Sequence, residues 1–474
     1  MATLSARSQR RSGRTIETAA IDGLRSALRG KLYQQSDGGY DQARTVWNAM
    51  IDRKPALIVQ PMGVADIQAA VNFAREHNML FAIKGGGHNI AGSAVCDDGL
   101  MLDLSSMRSV RIDPHAKVAH VEPGATLGDF DHEAQAFGLG TPVGINSTTG
   151  LAGLTLGGGF GWLSRRYGMT VDNLISADLV TADGAFVTCS DTQHPELFWA
   201  IRGGGGNFGV VTRFEFKLHA VGPMILAGLV VYPISEAASA LKKYREFVKT
   251  LPHESNVWVV LRKAPPLPFL PPESHGSDVV VFAVFHNGDT NQGKKNLEPV
   301  RHFGAKVGEF IDSMPYTAWQ KMFDPLLGPG ARNYWKSHNI VTLTDELIDV
   351  LIRGTKAIPN DECDLFLGFI EGEPGKKNES ATAYSHRKTA WAMNVHGRWR
   401  DAKQDDECIG WTRGLFKDAA PYAMKGVYVN FLTDDEKDRV QDAYGPSWNR
   451  LLEVKRKYDP SNLFCMNQNI DPNG

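Results

Sequence analysis

Lys84-Gly85-Gly86-Gly87-His88-Asn89-Ile90-Ala91-Gly92 is the stretch on which the reading of this chain turns. Apolar residues run into it from Leu80 and spell a short buried strand that ends at Lys84. Three successive glycines then free consecutive backbone N–H groups to turn toward one anion, as a pyrophosphate site requires. Two further runs, Gly150–Gly161 and Gly203–Gly209, follow in the first half of the chain. The 48 glycines make up about a tenth of the 474 residues, against an ordinary ~7%. Their clustering between apolar strands marks places where backbone turns tightly or approaches something closely. The string Gly204-Gly205-Gly206-Asn207-Phe208-Gly209 matches G-x-G-x-x-G, yet it runs into the alternating segment Val210–Phe216 and not into a helix. A nicotinamide-dinucleotide reading is therefore rejected there.

Working outward, Leu57–Gln60, Leu80–Lys84, Leu100–Leu104 and Val118–Val121 read as strands. Val64–His77 and Leu127–Phe137 read as helices, the first from Ile67, Val71 and Ala74. Asp183-Gly184 between Ala177–Thr181 and Phe186–Thr188 signals a hairpin. In Val211–Leu218 the residues Phe214, Phe216 and Leu218 alternate with Arg213, Glu215 and Lys217, the pattern of a half-buried strand. Past residue 222 the strands Val257–Leu261 and Val279–Phe285 alternate with helical stretches such as Glu236–Thr250. Ala264–Glu273, with five prolines, reads as a stiff loop between two strands, or more sharply as a lid over a substrate cleft.

Lys and Arg total 51 against 53 Asp and Glu, a formal charge of −2, which excludes the concentrated basic surface that nucleic acid needs. The apolar runs Met224–Tyr232 and Val279–Phe285 fall far short of the ~18 residues of a membrane span. Residues 1–15 read as a frayed polar arm, because no apolar segment follows the basic run Arg7–Arg14. Cys96, Cys189, Cys363, Cys408 and Cys465 are odd in number and hold no C-x-x-C pair. With no H-E-x-x-H motif either, neither a disulfide framework nor a metal site is expected, and a cytoplasmic location fits.

Lys84–Gly92, Gly99–Met107 (GLMLDLSSM), Val121–Gly124 (VEPG), Thr149–Trp162 (TGLAGLTLGGGFGW), Asp172–Gly184 and Glu196–Thr212 resemble the FAD domain of the vanillyl-alcohol oxidase type. Val427–Phe431 (VYVNF) and Trp448–Ile470 resemble the closing segment of its berberine-bridge-enzyme-like branch. Within that branch the pattern is most similar to the bacterial 6-hydroxy-D-nicotine oxidase group. The resemblance implies an α+β fold: a PCMH-type FAD-binding domain of two subdomains over 30–222, a substrate domain over 223–422 with an antiparallel sheet backed by helices, and a return over 423–474 to the first domain, with an arm and helix over 1–29.

It also implies that His88 is bonded through its imidazole to the flavin 8α-methyl group, chemistry that a neutral ring nitrogen suits. Some members carry a second, cysteinyl link; its position here is Asn146, which argues for a single linkage. Gly85, Gly86, Gly87, Asn89 and Gly92 surround His88. Ser147, Thr148, Gly150, Gly153, Gly157, Gly158 and Gly161, with Val211, lie where the family wraps the cofactor, and Asn467, Gln468 and Asn469 where it hydrogen-bonds the ring. Thr149 matches a position that gates oxygen access. Tyr428, in a segment read as a buried strand, and Asn430 match residues lining flavin and substrate. Tyr428 is the first choice of base, and Glu371, with Glu373 nearby, is the carboxylate choice. His386, Asn394, His396 and Trp399 are further candidates to reach the cleft. Tyr334 and Trp335, read as lying in an exposed segment, fit a ring-shaped substrate.

The expected activity is an FAD-dependent oxidase of secondary metabolism that takes hydride from an amine or N-heterocycle, an alcohol or phenol, or a sugar, and reduces oxygen to hydrogen peroxide. A dehydrogenase with another acceptor and a flavin-binding module without turnover are the rivals. The expected partners are a small-molecule substrate and oxygen, with no nucleic acid or membrane, the chain being a monomer or homodimer.

Overall fold

The structure, a computed structural model, describes residues 3–6 and 14–474. Thr3–Ala6 pairs antiparallel with Arg14–Glu17, so the described part of the expected frayed arm is a ladder. The rest of the basic run, residues 7–13, lies outside the described residues. A helix, Thr18–Ala27, follows.

The first sheet has the order Lys31–Tyr33, Leu57–Gln60, Leu100–Asp103, Phe81–Lys84, with the last three strands parallel. Helix Val64–Glu76 makes the crossover and buries Ile67, Ala70, Val71 and Ala74 on one stripe, as their spacing predicts. The strand Phe81–Lys84 thus delivers its carboxyl end to the glycine turn, the end at which open α/β sheets present ligand sites.

The second sheet is antiparallel, in the order Phe186–Ser190, Leu174–Val180, Val210–Lys217, Val118–Val121, Val110–Asp113. The hairpin at Asp183-Gly184 forms with Gly184 at φ +84°, a left-handed turn that suits glycine. Phe214 and Phe216 are fully buried in its core.

The third sheet has seven strands, all antiparallel: Gly308–Pro315, Met224–Pro233, Asp278–His286, Ser255–Lys263, Asp364–Phe369, Trp391–Trp399, Arg332–Ile340. Helices Ala237–Phe247, Asp345–Lys356 and Asp405–Ala419 pack against it and one another. Since side chains alternate along a strand, each strand that shows one set of residues to the helices shows the other set to the first two sheets. Tyr334 and Trp335 belong to the last of these strands and not to an exposed segment; Tyr334 is buried and donates to Asp435.

The C-terminal return differs from expectation at Val427–Phe431. It is no strand: Val429–Phe431 forms a single 3-10 turn, with the Phe431 N–H donating to the Tyr428 carbonyl. The Asn430 side chain draws the segment toward the second glycine loop by donating to Gly153 and Leu154 carbonyls. Helix Trp448–Tyr458 then carries the fully buried Lys455, whose ammonium reaches Asp459 at 2.7 Å and the carbonyls of Asn207 and Phe464. That cation pins the closing segment to the third glycine loop. Among the described residues no helix is long and apolar enough to cross a membrane.

Candidate active site

A cavity of about 430 Å³ lies where the glycine loops of the first two sheets meet one face of the seven-stranded sheet. Gly86 and Gly150 hold the loops together: a Cβ on Gly86 would stand 2.3 Å from the Gly150 nitrogen, and the reverse contact is equally short. Elsewhere the missing side chain faces open space. A Cβ on Gly153 or Gly206 would meet nothing within 4 Å, and both glycines line the cavity.

His88 follows the first loop on the cavity wall and stacks on Trp47, with ring centroids 5.0 Å apart. Burial pushes its pKa down to about 4, so the imidazole is neutral at physiological pH. Its Nε2 lies 3.0 Å from the Thr148 hydroxyl, which sits 2.8 Å from Asn146 Oδ1. An amide oxygen only accepts, so the Thr148 proton goes to Asn146 and the hydroxyl accepts from His88 Nε2–H. In this tautomer Nδ1 carries the lone pair.

From the C-terminal return, Tyr428 and Asn430 reach the wall together. The Tyr428 hydroxyl accepts from Gly159 N–H at 3.1 Å and from Asn430 Nδ2 at 3.0 Å, leaving its own proton unspent. Burial raises its pKa to about 12, partly offset by those two donors, so it is a neutral phenol. Asn467 and Gln468 line the cavity beside the third glycine loop, and Asn467 donates to the Gly206 carbonyl at 3.0 Å.

The sheet supplies a polar cluster of which the sequence reading named His396 but neither Arg262 nor Asp364. Arg262, Asp364 and His396 fall opposite one another on three neighbouring strands and face the cavity. Asp364 lies 3.9 Å from the Arg262 guanidinium and 3.8 Å from His396 Nδ1. Burial raises the Asp364 carboxyl to about 6 against the pull of Arg262 and Arg398. Burial, with the same two arginines, pushes His396 well below its usual range, so it stays neutral. An acidic residue opening an otherwise apolar strand was the available signal.

Gly85, Gly87, Asn89, Thr149 and Val211 line the cavity, as do Asn394 and His396 of the cleft candidates and Trp335. So do Gly205 and Gly206, which belong to the string rejected as a dinucleotide site. That string does run into a strand, Val210–Lys217. Several expected residues do not reach the wall. Gly92 makes room for Ile51, Gly157 for the Asn430 side chain, Gly158 for the Tyr384 ring and Gly161 for the Val143 carbonyl. Ser147 is spent on Asp324, to which both its N–H and its hydroxyl donate. Thr148 stands behind His88, and Asn469 is half-buried off the wall with its Oδ1 buried and unpaired. His386 bonds the Ala443 carbonyl and Trp399 bonds Asp405.

Glu371 corrects an expectation outright. The strand ends at Phe369, and Glu371 is exposed beyond it, with its backbone carbonyl accepting from Arg165. Glu373 pairs with Lys376 and is no nearer the cavity. Asp364, at the start of the same strand, is the carboxyl that faces inward.

The FAD binding domain family matches residues 55–190, and the berberine and berberine-like family matches 427–471. A FAD-linked oxidoreductase of Dictyostelium discoideum is 34% identical over 461 residues, covering 96% of this chain and 97% of that protein. The structure of 6-hydroxy-D-nicotine oxidase from Arthrobacter nicotinovorans superposes with a TM-score of 0.84 at 28% identity, covering 94% of this chain and 98% of its own. A chitooligosaccharide oxidase gives 0.84 at 25%, covering 96% and 99%. The cavity fits FAD on its own terms: Gly153 and Gly206 leave room for a group laid against backbone, and Asn467 Oδ1 is buried without a partner. With its flavin cradle shared between both ends of the sequence, the chain is an FAD-linked oxidoreductase and belongs to the berberine-bridge-like family.

Proposed function

We propose that the protein is an oxidase whose FAD is bonded once, to His88, and which oxidises a small organic molecule at the expense of molecular oxygen, yielding hydrogen peroxide. Residues 30–222 with 423–474 form the flavin domain in this reading, and 223–422 the substrate domain. The observation that carries it is the state of His88: neutral, on the cavity wall, with Nε2–H engaged by Thr148 and Nδ1 left nucleophilic. Asn146, where a second link would need a thiolate, instead accepts the Thr148 proton.

Bound FAD supplies a two-electron acceptor for hydride. The chain supplies the proton chemistry and the geometry. Asp364, with a pKa of about 6, is the group on the wall suited to take a proton from a substrate O–H or N–H at neutral pH. Tyr428 is a neutral donor held in place by Gly159 and Asn430, and it orients the substrate heteroatom. Its high pKa makes it a relay in place of the resting base first expected. Thr149, on the wall beside His88 and Gly150, is small enough to leave oxygen a path, in keeping with the oxidase names of two of the relatives above.

Acid precipitation of wild type and His88→Ala tests the linkage. Yellow retained by the wild-type pellet and lost to the supernatant in the variant is expected; release from both refutes it. Air reoxidation of the photoreduced enzyme with stoichiometric peroxide tests the oxidase assignment, and a flavin that stays reduced in air refutes that part alone.

A further inference from the structure

The register of the large sheet sorts the substrate side of the cavity into two ends. Val231, Val281, Val260, Phe366 and Asn394 stand opposite one another on consecutive strands and all line the cavity. The adjoining row runs Val279, Arg262, Asp364, His396 and Trp335. Polarity therefore rises across the sheet in one direction. On the strands Met224–Pro233 and Asp278–His286 every wall residue is aliphatic: Leu229, Val231, Val279, Val281 and Ala283. The proline-rich loop closes over this side with Pro265, Leu267 and Leu270, which also line the cavity. The backbone groups beneath are consumed by the ladder, so this end offers a ligand no donor or acceptor. The other end has them to spare: Asn394 Oδ1 and Trp335 Nε1 are buried without partners, beside Asp364 and His396.

We propose that the substrate is amphipathic. A compact polar head, a hydroxyl or amine, seats at Asp364, Asn394 and Trp335, and an apolar body of several carbons lies on the valine wall beneath the proline-rich loop. A free sugar or oligosaccharide does not fit this division, because its outward hydroxyls would be buried against Val231, Val260 and Val281 with nothing to bond. The inference rests on the active-site assignment above and narrows its substrate class.

The test is an anaerobic titration of the holoenzyme, followed by flavin absorbance, with phenol, 4-ethylphenol, 4-butylphenol and 4-hexylphenol, and in parallel with maltose and cellobiose. The dissociation constant is expected to fall about fourfold for each methylene added, and the sugars to leave the spectrum unchanged. Leu267→Asp, on the half-buried loop, is expected to weaken 4-hexylphenol at least tenfold more than phenol, and the near-isosteric Val281→Thr to do so several-fold. The proposal is overturned by affinities flat across the series, by no spectral response to any phenol, by a sugar binding as tightly as 4-hexylphenol, or by variants that weaken phenol and 4-hexylphenol alike. Binding is read without turnover, so its failure is separable from failure of the oxidase assignment, which shows only as a reduced flavin that air does not reoxidise.

Discussion

Thr148→Val removes the hydroxyl that fixes the His88 tautomer while keeping the side chain's volume. In the native arrangement the Thr148 oxygen is 3.0 Å from Nε2 and committed as a donor to Asn146 at 2.8 Å, so it favours Nε2–H and a bare Nδ1. A neutral hydrogen bond of this kind is worth about 1 kcal/mol. Losing it shifts the tautomer equilibrium, and with it the rate of flavin attachment, by about fivefold. The assay mixes flavin-free protein with FAD and follows acid-precipitable flavin over time. Thr148→Val should attach several-fold more slowly, Thr148→Ser close to the wild-type rate, and His88→Ala not at all. The same experiment has a pH arm. Because the folded pKa is lowered to about 4, the nucleophilic neutral ring persists as pH falls from 8 to 5.5 and is lost only as pH approaches 4. An ordinary histidine, titrating near 6.5, would lose about tenfold over that range. Attachment by Thr148→Val within twofold of wild type, with His88→Ala still blocked, would refute the tautomer argument and leave the linkage standing.

Asp364→Asn should cut the rate of flavin reduction by about 10²- to 10⁴-fold in stopped-flow bleaching. Because burial raises the Asp364 carboxyl to about 6, the wild-type rate should fall as pH drops through that value, and the variant should lose this limb. Tyr428→Phe strips the acceptor from Gly159 N–H and Asn430 Nδ2, and should lower stability by about 1–3 kcal/mol in urea denaturation as well as slowing bleaching. Thr149→Leu should slow reoxidation by dissolved oxygen while sparing reduction by substrate, read by mixing photoreduced enzyme with aerated buffer. Gly86→Ala forces a methyl to within 2.3 Å of the Gly150 backbone, so the two loops must part, and the purified protein should retain little flavin by absorbance.

What could be read from the sequence divides along a physical line. Local periodicity and turn chemistry gave the helix Val64–Glu76, the hairpin at Asp183-Gly184 and the alternation of Val210–Lys217, because each is a property of neighbouring residues. The glycine clusters announced close approach, but a missing Cβ does not say what it makes room for. Gly153 and Gly206 clear space in the cavity, while Gly92, Gly157, Gly158 and Gly161 admit Ile51, Asn430, Tyr384 and Val143 of the protein itself. The segment around Tyr428, read as a buried strand, is none: Asn430 spends its amide on the glycine loop and the backbone turns instead. Glu371 lies beyond the end of the strand that Asp364 begins, and strand parity, which composition does not reveal, sends Asp364 inward together with Phe366.

The same parity explains why the substrate end was the least legible part of the site. Arg262, Asp364 and His396 lie on three strands far apart in sequence and become one cluster only through register, so no window of sequence contains them together. The flavin end is different: Asn146, Thr148 and Thr149 are neighbours, and His88 reaches them because Gly86 and Gly150 allow two loops to touch. A short motif can therefore carry the cofactor chemistry intact while the opposing sheet varies residue by residue. On that division, exchanging a wall residue such as Val281 should change which molecules bind without altering how flavin is held, and exchanging Thr148 should do the reverse.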